Sequence, residues 1–160
     1  MNAMIRSLRK SGLGAGLLAF LLSTGAGAHE ASTHDLSKEP TITVYRDPNC
    51  GCCSKWIEHL IKHGFVVKDR KSDEMSEIKR GLGVPEKLES CHTGVVNGYV
   101  IEGHVPAADI HRLLKEKAKV AGLAVPGMPM GSPGMEGPRV DRYDVVSFAK
   151  TGTTKVFAKH

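Results

Sequence analysis

The placement of three cysteines constrains this chain more than any other feature. Cys50-Gly51-Cys52-Cys53 lies between two segments of opposite periodicity. Before it, Thr41-Ile42-Thr43-Val44-Tyr45 alternates and is β-branched, which reads as a strand. After it, Trp56, Ile57, Leu60 and Ile61 recur at helical spacing, with Glu58, His59, Lys62 and His63 opposite and Gly64 as the stop. Asp47-Pro48-Asn49 makes the turn. The cysteines therefore stand where a strand hands over to a helix. A helix N-terminus offers unpaired N–H groups and about half a positive charge, which favours thiolate over thiol.

Four cysteines in an exported chain would by default form two disulfides. That default fits poorly here. Disulfides closing tiny loops constrain the unfolded chain least. The neighbours Cys52 and Cys53 could pair only with a strained backbone. Crowded thiols of this kind are expected to be reactive or metal-binding.

Export is read from the first residues. Arg6, Arg9 and Lys10 precede an apolar run from Leu13 to Leu22, followed by Ala26-Gly27-Ala28. That is the order of a secretory signal peptide, cleaved after Ala28. The run is shorter than the ~20 residues that span a bilayer. No cysteine follows it closely, which argues against a lipid anchor. The expected product has no membrane insertion and works in the periplasm. Losing three basic residues and no acidic ones lowers the formal charge from +5 to +2. Mixed-sign runs such as Lys68-Asp69-Arg70-Lys71-Ser72-Asp73-Glu74 then read as solvated surface, and no basic block with aromatics supports nucleic-acid binding.

The rest of the chain supplies alternating elements. Residues 29–40 read as a flexible leader. Phe65-Val66-Val67 is a second strand. Ser72 can cap a helix with Met75, Ile78 and Leu82 on one face, ending near Gly83. Thr93-Gly94-Val95-Val96 is a third strand, and Asn97-Gly98 turns it into Tyr99-Val100-Ile101-Glu102. Pro106 can occupy the first turn of a helix carrying Ile110, Leu113 and Leu114, with Val120 further on. The first two strands, joined by a helix, are expected to be parallel, with the Asn97-Gly98 hairpin as an antiparallel edge. The fold class is α/β: a thioredoxin-like mixed sheet flanked by helices over residues 41–122. Residues 123–160 form an extension with a Gly/Pro/Met-rich loop and a second hairpin, Tyr143–Phe148 with Lys155–Ala158.

Metal chemistry follows from the sulfur count. Cys50 and Cys53 have C-x-x-C spacing, and Cys52 adds a thiol that dithiol chemistry does not need. Three thiolates in one turn suit Cu(I), a soft ion. Cys91 opens the third strand, where a thioredoxin-like topology turns it toward the cysteine turn. Its plainer alternative is a buried small hydrophobe. His92 can add an imidazole or merely stand beside the site. Met128, Met130 and Met135 lie among Gly and Pro, where no regular core element forms, and thioether suits Cu(I) better than zinc. Their plainer role is packing, as a lid over the cysteine turn. His59 and His63 share a polar helix face and read as solvated, as does His111. His104 reads as structural or as a support to a ligand.

Taken together, Cys50-Gly51-Cys52-Cys53, Cys91-His92-Thr93, Gly103-His104-Val105-Pro106-Ala107 and the segment Pro126 to Glu136 resemble the CopG-type periplasmic copper-resistance proteins. (The DNA-binding repressors that share the name are unrelated.) The resemblance runs from Thr41 to the C-terminus. It implies a thioredoxin-like fold with a C-terminal extension, a cysteine-bound multi-copper centre and a role in copper resistance, with Cu(I) and Cu(II) interconverted. The expected partners are copper ions and other periplasmic copper-handling proteins. Two other readings compete. A metal-free thiol–disulfide oxidoreductase would use Cys50 and Cys53 but leaves Cys52 and the Met loop without purpose. A four-cysteine iron–sulfur site leaves the methionines unused as well.

Overall fold

A computed structural model describes residues 39–160. The expected signal peptide and nearly all of the expected leader lie outside the described residues. Seven strands and three helices follow one another as β1 (Thr41–Arg46), α1 (Gly51–Lys62), β2 (Val66–Lys71), α2 (Met75–Leu82), β3 (His92–Val96), β4 (Tyr99–Glu102), α3 (Ala107–Glu116), β5 (Gly122–Ala124), β6 (Asp144–Phe148) and β7 (Thr154–Lys159). They form one mixed sheet in the order β2-β1-β3-β4-β5-β6-β7. The parallel β1–β2 pair and the antiparallel β3–β4 hairpin are as expected. This is the thioredoxin-like α/β architecture that the sequence predicts, with the hairpin extension attached.

Several local expectations need correction, among them the Ser72 cap of α2, whose N-cap is Glu74. The β3–β4 hairpin is central rather than an edge, because β5 pairs parallel with β4 and carries the C-terminal hairpin onward. Gly122-Leu123-Ala124 is too short to show periodicity, yet it joins the extension to the sheet. β2 runs on through Lys68-Asp69-Arg70-Lys71, all exposed. It is an outer strand, so charge on it is tolerated and discourages edge-to-edge pairing. Finally, α3 ends at Glu116 with Pro106 as its N-cap, so Val120 packs on the core from the following loop.

Burial follows the two faces of the sheet. On β4, Ile101 joins a cluster with Ile42, Val44, Trp56, Leu60, Ile110 and Leu113, whereas Val100 joins Val84, Leu88, Ala124 and Phe148. Adjacent strand residues point to opposite faces, so both faces of the sheet are covered. Trp56 is fully buried and its Nε1–H donates to Val105 O at 2.9 Å. Gly94 makes room for it: a Cβ there would lie 2.8 Å from Ile42 Cδ1 and 3.4 Å from the Trp56 ring. The Asn97-Gly98 turn has positive φ at both residues, the type I′ geometry that suits the twist of a hairpin. Ile61, assigned by periodicity to the apolar face of α1, is exposed instead. On α2, Met75, Ile78 and Leu82 are half-buried, and the fully inward residue is Lys79.

Candidate metal centre

Cys50 is the N-cap of α1, and its Sγ accepts the Cys53 N–H at 3.3 Å. Cys52 and Cys53 occupy the first helical turn. The antiparallel β1–β3 pairing sets Arg46 opposite His92, which brings Cys91 beside that turn. The four sulfurs lie within 4.8 Å of one another. Cys52 Sγ is 3.5 Å from Cys50 Sγ and 3.7 Å from Cys91 Sγ. Cys50 and Cys53 are joined as a disulfide, and Cys52 and Cys91 are free thiols. Arg46 fixes the approach to this turn. Its guanidinium pairs with both oxygens of Asp69 and donates to the carbonyls of Asp47 and Pro48.

A second donor group shares Cys91. Its Sγ lies 3.2 Å from His92 Nδ1 and 3.2 Å from His104 Nε2. Each imidazole is pinned from behind. His92 Nε2 is 2.9 Å from Gly103 O, and His104 Nδ1 is 2.8 Å from Pro133 O. A carbonyl can only accept, so these nitrogens carry the protons and the nitrogens facing sulfur are bare. Burial drives His92 well below its ordinary pKa, with His104 as a second cause, and burial also lowers His104. Both rings are thereby kept neutral. Desolvation, followed by the neighbouring Cys52, pushes the Cys91 thiol up to about 12. Cys91 has one S–H to give and faces two imidazole lone pairs, so one pair meets sulfur with no proton between them. A thiol and two neutral, back-bonded imidazoles form the donor set that a soft or borderline cation takes, the thiol losing its proton on binding.

The Met-rich segment is irregular but tightly folded over this site. Gly131 N–H donates to Met135 O and Met135 N–H to Ser132 O, both at 2.8 Å. Pro133 O holds His104, and Ser90 Oγ–H donates to Gly127 O at 2.7 Å. At Gly134 (φ 88°) a Cβ would lie 2.7 Å from Cys52 O and 2.9 Å from Trp56 N. The loop backbone is thus pressed onto the first turn of α1, and only glycine permits that approach. Met128 is 53 % exposed, Met130 turns its methyl toward Gly137, and Met135 is half-buried.

The structure gathers Cys50, Cys52, Cys53 and Cys91 in one group and sets His92 beside Cys91 in a second. It adds His104, which stood in a Gly-His-Val-Pro turn with no periodic signal to mark it. His59 is half-buried, and its Nε2 accepts the Ala107 N–H at the start of α3. His63 and His111 lie on the surface, His111 against Phe65.

The chain is similar to solved structures of known description. The chain is 52 % identical to one described as "Copper resistance protein copG- Form 2", covering 77 % of this chain and 99 % of that one, with a TM-score of 0.74. It is 54 % identical to a Form 1 structure of the same description, covering 76 % and 98 %, with a TM-score of 0.72. The chain belongs to the CopG family. Residues 88–135 also match a family described as "Protein of unknown function, DUF411". No curated protein matches. The 88–135 match runs from just before Cys91 through Met135, so it covers the imidazole side and the lid but not the cysteine turn. Among the described residues, no helix is long and apolar enough to cross a membrane.

Proposed function

We propose that this CopG-family chain binds copper for copper resistance, holding Cu(I) between the cysteine turn and the Cys91–His92–His104 group. The observation that carries this is the sharing of Cys91. One sulfur lies within 4.8 Å of three other sulfurs and, with two bare imidazole nitrogens, closes a second group of the same span. A sulfur common to two donor groups suits a multi-copper site, because thiolate can bridge two soft ions. Bound copper would supply one-electron chemistry, and interconversion of Cu(I) and Cu(II) belongs to this reading. Once the Cys50–Cys53 disulfide has been opened by a two-electron thiol reductant, the chain's own part is to supply thiolates and neutral imidazoles and to cover them with the 126–136 loop. Met128, Met130 and Met135 offer thioether ligands at the lid. The site would work in the periplasm after removal of residues 1–28, exchanging ions with other copper-handling proteins there.

Titration of the reduced protein with Cu(I) against a competing chelator tests the reading. More than one copper per chain is expected. One or fewer, unchanged in Cys52→Ser, would sink the multi-copper site.

The Cys50–Cys53 disulfide supports a second reading, a thiol–disulfide oxidoreductase with Cys52 and Cys91 as bystanders. Rapid disulfide reduction of a model substrate, together with only weak copper binding, would favour it.

A further inference from the structure

The Cys91–His92 pair lies between two residues tied to one buried carboxylate. Glu102, at the end of β4, is fully buried. Its Oε1 accepts the Ser90 N–H at 2.6 Å, and its Oε2 accepts the Thr93 hydroxyl at 2.6 Å. Lys79 reaches in from α2, donating to Glu102 Oε1 at 2.5 Å and to Thr93 Oγ1 at 2.9 Å. Thr93 and Glu102 are also direct partners in the β3–β4 ladder. The residue before Cys91 and the residue after His92 therefore end on the same carboxylate.

Stability alone gives little reason for this arrangement. Taking both charges out of water costs about as much as their attraction returns, and apolar replacements of such pairs are often neutral or stabilising. Burial itself pushes the Glu102 carboxyl upward, against the pull of Lys79, Thr93 and Ser90. What the network does supply is direction. It fixes the backbone on both flanks of a two-residue donor pair, while Gly103 O fixes the ring of His92. Donor atoms presented by a locked backbone bind with less ordering cost than donors on a free loop.

We infer that Glu102, held by Lys79, is a positioning residue for the Cys91–His92 donor pair. It does not touch the metal and acts through Ser90 and Thr93. This inference rests on the copper reading of the site.

The decisive variant is Lys79→Met with Glu102→Leu, which removes both charges and keeps apolar bulk. It should fold cooperatively, with a lowered Tm because the Ser90 N–H and the buried Thr93 hydroxyl lose their acceptor. Its Cu(I) affinity should fall by about 10- to 100-fold, the usual effect of losing a ligand's supporting partner. The thiolate-to-copper absorption of the loaded protein should shift too. Wild-type affinity and an unshifted spectrum in the folded double variant would overturn the inference. Should that variant not fold, Thr93→Val keeps the ion pair and the side-chain shape and removes one flank. A drop of a few-fold supports positioning, and a wild-type value refutes it. Cys91→Ser in the same titration separates the two layers. If it binds copper as wild type does, the copper reading of Cys91 fails and the positioning role falls with it. If it binds poorly while the double variant binds normally, only the positioning role is lost.

Discussion

The two halves of the donor cluster are built in opposite ways. The cysteine turn is local: three cysteine sulfurs come from four consecutive residues, set at the N-terminus of α1 with Cys50 as the cap. The Cys91 half is assembled from a distance. Cys91 precedes β3 and His92 opens it, His104 follows β4, the carbonyl behind His104 belongs to Pro133, and the carboxylate beneath lies on β4. A local cluster needs one turn of helix to form. The second needs the sheet, the ion pair and the lid all in place. The protein thus joins a local set of sulfurs to two imidazoles held from behind by carbonyls, with Cys91 common to both.

Cys91→Ser should break that comparison most completely, because it removes the shared sulfur. Copper affinity should fall by more than about 100-fold, since losing a mere supporting partner already costs 10- to 100-fold. The fold should persist, because Cys91 is only half-buried and outside the main hydrophobic clusters. Chelator competition and thermal unfolding on one sample check both points. A fully loaded Cys91→Ser protein would mean that the two halves are independent.

Cys52→Ser and His104→Ala sharpen the comparison by trimming one half each. Each should lower the copper number without abolishing binding. His104→Ala also loses the bond to Pro133 O, worth about 1 kcal/mol, and should loosen the 126–136 loop, which limited proteolysis would detect. Equal copper numbers in both variants and wild type would argue against a divided site.

These differences explain how much was legible in the residues. The cysteine turn was readable because its donors are neighbours and its setting, strand then helix, is periodic. Cys91 and His92 were readable only through topology, which places the start of β3 beside α1. His104 left no periodic trace. Its role depends on a tautomer set by Pro133 O, 29 residues further on. Lys79 was invisible for a related reason. Periodicity on α2 assigned the inner face to Met75, Ile78 and Leu82, but burial of a charge is decided by the partner that meets it, here Glu102 on another element. β5 was missed because three residues cannot display a period. The hairpin beyond it was predicted, yet its continuity with the sheet was not, since only pairing in space reveals that.

The Met-rich lid tests whether the sulfur-rich character of the first half extends over the second. Replacing Met128, Met130 and Met135 together by Leu keeps most of the apolar bulk and removes the thioethers. Stability should change by less than about 1.5 kcal/mol. Cu(I) affinity, or the rate at which bound Cu(I) is reoxidised in air, should change measurably. Unchanged copper readings would leave the loop as a cover that holds His104 through backbone alone.

The smallest expected effect lies away from both donor sets, at the far end of the helix that carries the cysteines. His59 ties α1 to α3 by accepting the Ala107 N–H on Nε2. Burial first, then the nearby His63, lowers its pKa to about 4, and Glu136 opposes them. In the unfolded chain the same ring titrates near 6.5. Between those values the unfolded state binds a proton that the folded state refuses, so stability rises with pH across that window. The contribution is therefore complete above about pH 6.5, is lost as the pH falls toward 4, and levels off below, where both states are protonated. The site is only half-buried, and solvent screening reduces the loss to about 1–2 kcal/mol. His59→Gln removes the titrating group while keeping an acceptor. His92 and His104 also resist protonation and contribute slopes of the same sign, so the test is the difference between variant and wild type. Thermal unfolding from pH 7.5 to 4.5 should show the wild-type Tm falling more steeply than that of His59→Gln, with the curves converging in acid. Parallel curves would mean that the His59–Ala107 contact is not what makes the α1–α3 junction acid-sensitive.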